Sequence, residues 1–174
     1  MHEIEVKILE IDPDAIASKL TQALGFEEKP GGMYRAVYMD TPAGELAKSG
    51  KILRLRQEGS KAVLAYKKNI SRDGAKIMEE HQTALSDFEA ALRILRGLGY
   101  MPLSETAKTR RIFQKDRVEV VIDDYLGELA HIPPFLEIEA PDEKTIHSVI
   151  IALGFSEDQA LSWDTSDLVR HYGQ

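Results

Sequence analysis

Cysteine is absent from the 174 residues, which excludes a disulfide framework, a thiolate zinc site and a cysteine nucleophile together. No apolar run approaches the ~18 residues of a membrane-spanning helix. The opening Met1-His2-Glu3-Ile4-Glu5 is acidic where a signal peptide would be basic and then apolar. An excess of positive charge is also missing. The 22 Lys and Arg stand against 29 Asp and Glu, a formal charge of -7, so the surface as a whole repels a phosphate backbone. We therefore expect a soluble, cytoplasmic protein that binds neither nucleic acid nor membrane. Repeats, linkers and low-complexity segments are lacking too. At this length, with 43% hydrophobic side chains, one sizeable core is possible and two ordinary domains are not, so a single domain over 1–174 is expected.

What is present is alternation. Residues 3 to 11 place Glu3, Glu5 and Lys7 on one face and Ile4, Val6 and Ile8 on the other, the period of a half-buried strand. Asp12-Pro13 opens a helix carrying Ile16, Leu20 and Leu24, which Gly25 closes. Strands are expected near 33–40, 52–57, 62–68, 76–85, 105–113, 118–123 and 135–140, with Asp73-Gly74 as a hairpin signal. The stretch 41–50 reads as a connection, since Pro42, Gly44 and Gly50 break it. Ser86 with Glu89 has the form of a capping box before a helix on Phe88, Leu92 and Leu95. Asp142 starts another helix that ends at Gly154, and Ser156 with Gln159 begins a last helical stretch. About eight strands joined largely by short hairpins imply an α+β, mostly antiparallel sheet that closes or nearly closes.

Sorted by parity, the strands repeat one layout. The charged faces hold Glu3, Glu5 and Lys7; Arg54 and Arg56; Lys67; Lys108 and Arg110; Glu119 and Asp123; and Glu137 and Glu139. The opposite faces are aliphatic and form the core, with Lys68 and Arg111 left as surface charge. Exposed ion pairs contribute only ~0–1 kcal/mol each, so surface pairing does not call for this density of charge. If the sheet closes, these groups point into its lumen. There Lys and Arg can hold an anion while the carboxylates hold a divalent cation that bridges to it.

The residues Glu3-Ile-Glu5-Val-Lys7, Tyr38-Met-Asp40-Thr-Pro42 with Leu53-Arg54-Leu-Arg56, Lys108-Thr-Arg110 and Phe135-Leu-Glu137-Ile-Glu139, in this order, resemble the CYTH domain of the triphosphate tunnel metalloenzymes. These include class IV adenylyl cyclases and thiamine and inorganic triphosphatases. The resemblance covers about residues 3 to 155 and implies an eight-stranded antiparallel β-barrel, the triphosphate tunnel, with helices packed on its outside. It implies a metal site at Glu3, Glu5, Glu137 and Glu139, with Glu80 as a further ligand and Asp123 either reaching the metal or orienting a tunnel arginine. It implies triphosphate binding by Lys7, Arg54, Arg56, Lys67, Lys108 and Arg110, with Lys7, Glu5 and Lys67 nearest the chemistry. Gln82 departs from the pattern, because the family commonly has a second glutamate there.

The resemblance thus implies a divalent-metal-dependent hydrolase of inorganic, nucleoside or thiamine triphosphate, using Mg2+ or Mn2+ and acting as a monomer or homodimer. Two alternatives stand beside it: a class IV adenylyl cyclase that makes cyclic AMP and pyrophosphate from ATP, and a polyphosphate-binding module without turnover. His2, His81, His131, His147 and His171 show no ligand spacing and read as solvated or locally bonded, with His131 as the exception to watch. Trp163 and Tyr172 read as packing of a C-terminal helix, and Gly31-Gly32 as turn glycines.

Overall fold

The computed structural model describes residues 2–71 and 76–173, without the side chains of His2, Glu3, Ser71 and Lys76. The Asp73-Gly74 signal and the Glu3 carboxylate therefore lie outside the described residues. Eight strands are present: β1 (His2–Ile8), β2 (Glu27–Asp40), β3 (Lys51–Glu58), β4 (Lys61–Ser71), β5 (Lys76–Leu85), β6 (Met101–Lys115), β7 (Val118–Leu126) and β8 (Phe135–Ala140). The helices are α1 (Pro13–Ser18), α2 (Glu45–Lys48), α3 (Phe88–Gly97), α4 (Glu143–Leu153) and α5 (Thr165–Tyr172). Every pairing is antiparallel, and the order β1-β5-β4-β3-β2-β6-β7-β8 returns to β1, so the sheet is a closed barrel. Closure removes the sheet edges and turns one face of every strand into a lumen.

The outward faces carry the core. Val6 and Ile8 of β1, Val120 and Ile122 of β7, and Leu136 and Ile138 of β8 pack beneath Ile16, Leu20, Ile146, Ile150 and Leu153. On another flank Val37, Met39 and Leu55 receive Phe88, Leu92 and Leu95 of α3. At one end of the barrel, Tyr125, Ile132 and Phe135 pack on Leu168 of α5, which is fully buried, with Trp163 and Tyr172 beside them.

Local chemistry accounts for most boundaries. Asp12 and Asp142 cap α1 and α4 by accepting backbone N–H groups of the first turn. The helix expected to run to Leu24 continues past Ser18 as a wider-pitched turn over Lys19–Ala23. For α3 the cap is Asp87, which accepts the Ala90 N–H, rather than Ser86; Glu89 is engaged by Arg35. β1 ends at Ile8 rather than near residue 11, because Glu10 turns the chain with a φ of 56°. β2 begins six residues earlier than its hydrophobic pattern suggests. The strand absorbs Pro30 and Gly31 in a bulge, between the pairs Lys29 with Ile112 and Gly32 with Arg110. The connection 41–50 contains the single turn α2, anchored by Asp40, whose buried carboxylate accepts the N–H groups of Thr41, Leu46 and Ala47 at 2.7, 2.9 and 3.0 Å.

Candidate functional site

A cavity of about 1380 Å3 runs through the barrel, lined by Glu5, Lys7, Arg54, Arg56, Lys67, Glu80, Lys108, Arg110, Glu137 and Glu139 among others. Strand parity brings these side chains to one surface although they come from six strands. The residues one step out of phase face outward. Arg111 binds Glu28 and Asp14 on the outer surface at 2.8 and 3.2 Å, and Lys68 is exposed.

Asp123 organises one wall. It is fully buried and accepts from Arg110 Nε at 2.7 Å, from Arg110 Nη2 at 2.6 Å and from Lys108. Arg110 Nη2 also donates to Glu137 Oε2 at 2.8 Å, and Lys7 Nζ lies 2.7 Å from Glu137 Oε1 and 3.4 Å from Glu5 Oε1. The chain Lys108–Asp123–Arg110–Glu137–Lys7–Glu5 therefore crosses β6, β7, β8 and β1 as one charge-alternating network. Burial alone would lift the Glu137 carboxyl, but Lys7, Lys108 and Arg110 hold it well below the usual carboxylate range. Burial likewise works against the charge of Lys7, which Glu137 and Glu5 more than restore, so Lys7 stays an ammonium at every ordinary pH.

The opposite wall is richer in cations than in carboxylates. Arg56 is pushed down by burial and by Arg54 beside it. Its Nε lies 2.5 Å from Glu58 Oε1, an ion contact off the N–H direction that leaves both atoms without a hydrogen bond. Arg54 Nε is buried and also without a hydrogen-bond partner. Tyr34 lies between two guanidinium groups, with Arg110 5.5 Å and Arg56 5.8 Å from its ring centre. Lys67 Nζ lies 3.0 Å from Glu80 Oε2. Burial would raise the Tyr38 hydroxyl, but Arg54 and Lys108 bring it below the ordinary tyrosine range.

The carboxylates have their own order. In the strand register Glu5 faces Glu139, and Glu139 faces Glu119, so three glutamates form one row across β1, β8 and β7. Like charges directly opposed on one face repel, and such a row is stabilised by a cation. Among the described residues no three His, Asp or Glu side chains already converge as a closed cage. An all-oxygen donor set suits Mg2+ or Mn2+ better than zinc.

The structure thus brings the described lumen residues named from the sequence to one cavity, except Asp123, which is fully buried against Lys108 and Arg110, while the Glu3 side chain lies outside the description. His131 makes a local bond, its Nδ1 lying 2.9 Å from the Glu128 carbonyl oxygen, and His81 is exposed beside Glu79. Sequence reasoning passed over Tyr34 and Thr106, and gave Tyr38 and Glu119 no role, although all four share the lumen face with the cations. Parity within β2 was the available signal, since Tyr34, Tyr38 and Asp40 alternate as Arg54 and Arg56 do. Thr165 at the start of α5 had no signal at all; its hydroxyl lies 3.1 Å from that of Tyr125 only because the tail folds back.

A model of the CYTH domain matches residues 1–164. A Methanocaldococcus jannaschii protein named as a candidate adenylate cyclase is 27% identical over 139 residues, 80% of this chain and 77% of the relative. Among solved structures, a Pyrococcus horikoshii protein superposes with a TM-score of 0.80 at 24% identity, covering 95% of this chain and 98% of that one. A Hippeastrum protein described as an adenylyl cyclase candidate with a dominant triphosphatase activity superposes with a TM-score of 0.70 at 16% identity, covering 97% and 95%. With a closed eight-stranded barrel and a family match over nearly its whole length, the chain belongs to the CYTH domain family.

Proposed function

We propose that this protein is a divalent-metal-dependent hydrolase of triphosphate-containing substrates. The observation that carries the reading is the paired composition of the lumen: Lys7, Arg54, Arg56, Lys67, Lys108 and Arg110 surround the same cavity as Glu5, Glu80, Glu137 and Glu139. A triphosphate carries about four negative charges, and a unit charge pair at ~4 Å is worth roughly 4 kcal/mol at an effective dielectric of ~20, so six cations are proportionate to that ligand. For a binding module without turnover the carboxylates are a liability, because without a cation they repel the ligand.

In this reading Arg54, Arg56, Lys108 and Arg110 bind the phosphates, and Asp123 positions the last two rather than ligating a metal, since both its oxygens are engaged. Glu5 and Glu139 would hold the divalent ion, which would supply charge neutralisation at the phosphate oxygens. Glu80, paired with Lys67, adds to the acidic side. Lys7 remains protonated and orients a water toward the terminal phosphorus; as the water oxygen bonds to phosphorus and the bridging P–O bond breaks, the proton released passes to solvent. Positioning and charge stabilisation supply most of the acceleration in such transfers.

The second reading, conversion of ATP to cyclic AMP and pyrophosphate, is favoured by the name of the Methanocaldococcus jannaschii relative. One experiment separates the two: incubation with ATP, inorganic triphosphate and thiamine triphosphate, each with Mg2+ or Mn2+, followed by product identification. Orthophosphate supports the hydrolase. Cyclic AMP with pyrophosphate replaces it by the cyclase, and no turnover on any substrate leaves a binding module.

A further inference from the structure

Along β2 the lumen face runs Gly32, Tyr34, Ala36, a small-large-small order that its neighbours on the adjoining strands explain. In the register Arg110 of β6 faces Gly32, and Arg56 of β3 faces Ala36. A hydrogen atom and a methyl group thus leave room above β2 for two guanidinium groups. The buried Tyr34 ring sits at the position between, its centre 5.5 Å from the Arg110 guanidinium carbon and 5.8 Å from that of Arg56. The residues directly opposite Tyr34 are Glu58 and Lys108, and neither competes for the ring. Glu58 turns to Arg56, while Lys108 turns to Asp123 with its Nζ over the rings of Tyr125 and Phe135. The two arginines differ in what else holds them. Arg110 is fixed by three hydrogen bonds to Asp123 and Glu137. Arg56 has an ion contact with Glu58 off the N–H direction, its Nε lacks a hydrogen bond, and burial together with repulsion by Arg54 and Arg110 works against its charge.

We propose that Tyr34 is a positioning residue for phosphate recognition: its ring orients Arg56 within the lumen wall and separates it from Arg110. An aromatic face attracts a guanidinium through its ring quadrupole without consuming the N–H donors, which stay available to phosphate oxygens. The ring rather than the hydroxyl supplies this, and Arg56 depends on it more than Arg110 does, because Arg110 has its own hydrogen bonds. The role rests on the reading above, in which Arg56 and Arg110 bind phosphate.

The test is a double-mutant cycle on the full chain, with inorganic triphosphate as the probe, EDTA present to prevent turnover, and affinity read by titration calorimetry. Tyr34→Leu removes the ring, Tyr34→Phe keeps it without the hydroxyl, and Arg56→Ala removes the partner. Tyr34→Leu is expected to weaken triphosphate binding by about tenfold in the wild-type background and by less than about threefold in the Arg56→Ala background. Tyr34→Phe is expected to stay within about threefold of wild type. A ring that merely fills space would give the same loss in both backgrounds. Should Tyr34→Leu not fold, Tyr34→Met, unbranched and also without a ring, takes its place in the cycle. Equal losses in the two backgrounds, or a Phe variant as weak as the Leu variant, overturns the positioning role while wild-type binding keeps the phosphate reading intact. Failure of wild type itself to bind triphosphate overturns that reading, and this role with it.

Discussion

At the scale of single residues, the lumen separates groups that hold the barrel together from groups placed for a ligand. Asp123 belongs to the first kind. It accepts from both Arg110 nitrogens and from Lys108 while fully buried, so removing its charge strands two cations in a desolvated wall. Asp123→Asn is expected to cost about 3–5 kcal/mol in urea denaturation, and a loss below ~1 kcal/mol would contradict its organising role. Glu139 belongs to the second kind, placed in register between Glu5 and Glu119. Glu139→Ala is expected to abolish metal-dependent turnover, since the carboxylate facing Glu5 is lost. Activity within a few-fold of wild type would count against the assignment.

The same distinction gives a pH dependence. Glu137 titrates well below its ordinary range because Lys7, Lys108 and Arg110 outweigh its burial. A carboxyl depressed in the folded state contributes stability that is fully present above its unfolded pKa of about 4.3 and is lost as pH falls toward the folded value. The urea midpoint should therefore fall steeply below about pH 4.5. In Glu137→Gln that acid limb should flatten, and an unchanged limb would show that other carboxyls dominate the loss.

At the scale of elements, the fold was legible wherever the period was regular. Alternation in β1, β3, β7 and β8 is by itself enough to sort Glu5, Lys7, Arg54, Arg56, Asp123, Glu137 and Glu139 onto the lumen face. The places that escaped are those where backbone geometry overrides composition. Gly31-Gly32 reads as a turn, but the barrel needs a long β2 to reach β6, and the extra residue is taken up as a bulge beside Arg110. Gly31 is required there by space. A Cβ at that position would lie 2.1 Å from the Arg110 carbonyl oxygen, an approach that no flexible side chain relieves. Gly31→Ala is expected to displace the β6 backbone at Arg110 and lower the melting temperature by several degrees, with weakened triphosphate binding as its functional trace. A variant with wild-type melt and affinity would show that the bulge is slack. The one-turn α2 escaped for a related reason, since its anchor is the tertiary acceptor Asp40 rather than a local helical pattern. The tail was legible only as packing. Its backbone pairing of Leu161 with Lys7, at 2.8 Å in both directions, joins residues too far apart in sequence for any local signal.

At the scale of the molecule, the excess of negative charge lies outside the lumen, because the six interior cations stand beside Glu5, Glu80, Glu119, Glu137 and Glu139 as well as Asp123. No helix among the described residues is long and apolar enough to cross a membrane. Many of the interior charges are partly desolvated, a costly state until partners arrive, so metal and triphosphate should stabilise the fold and each other. A non-hydrolysable triphosphate at ~100 times its dissociation constant adds about 2.7 kcal/mol, which for this chain length raises the melt by several degrees. The measurement that tests phosphate recognition in the lumen most directly is a thermal-shift matrix of Mg2+ alone, non-hydrolysable triphosphate alone and the two together, with adenosine as the control lacking phosphates. The largest shift is expected with both, a smaller one with either alone and none with adenosine. Equal shifts from adenosine and from the triphosphate would contradict binding through the lumen cations.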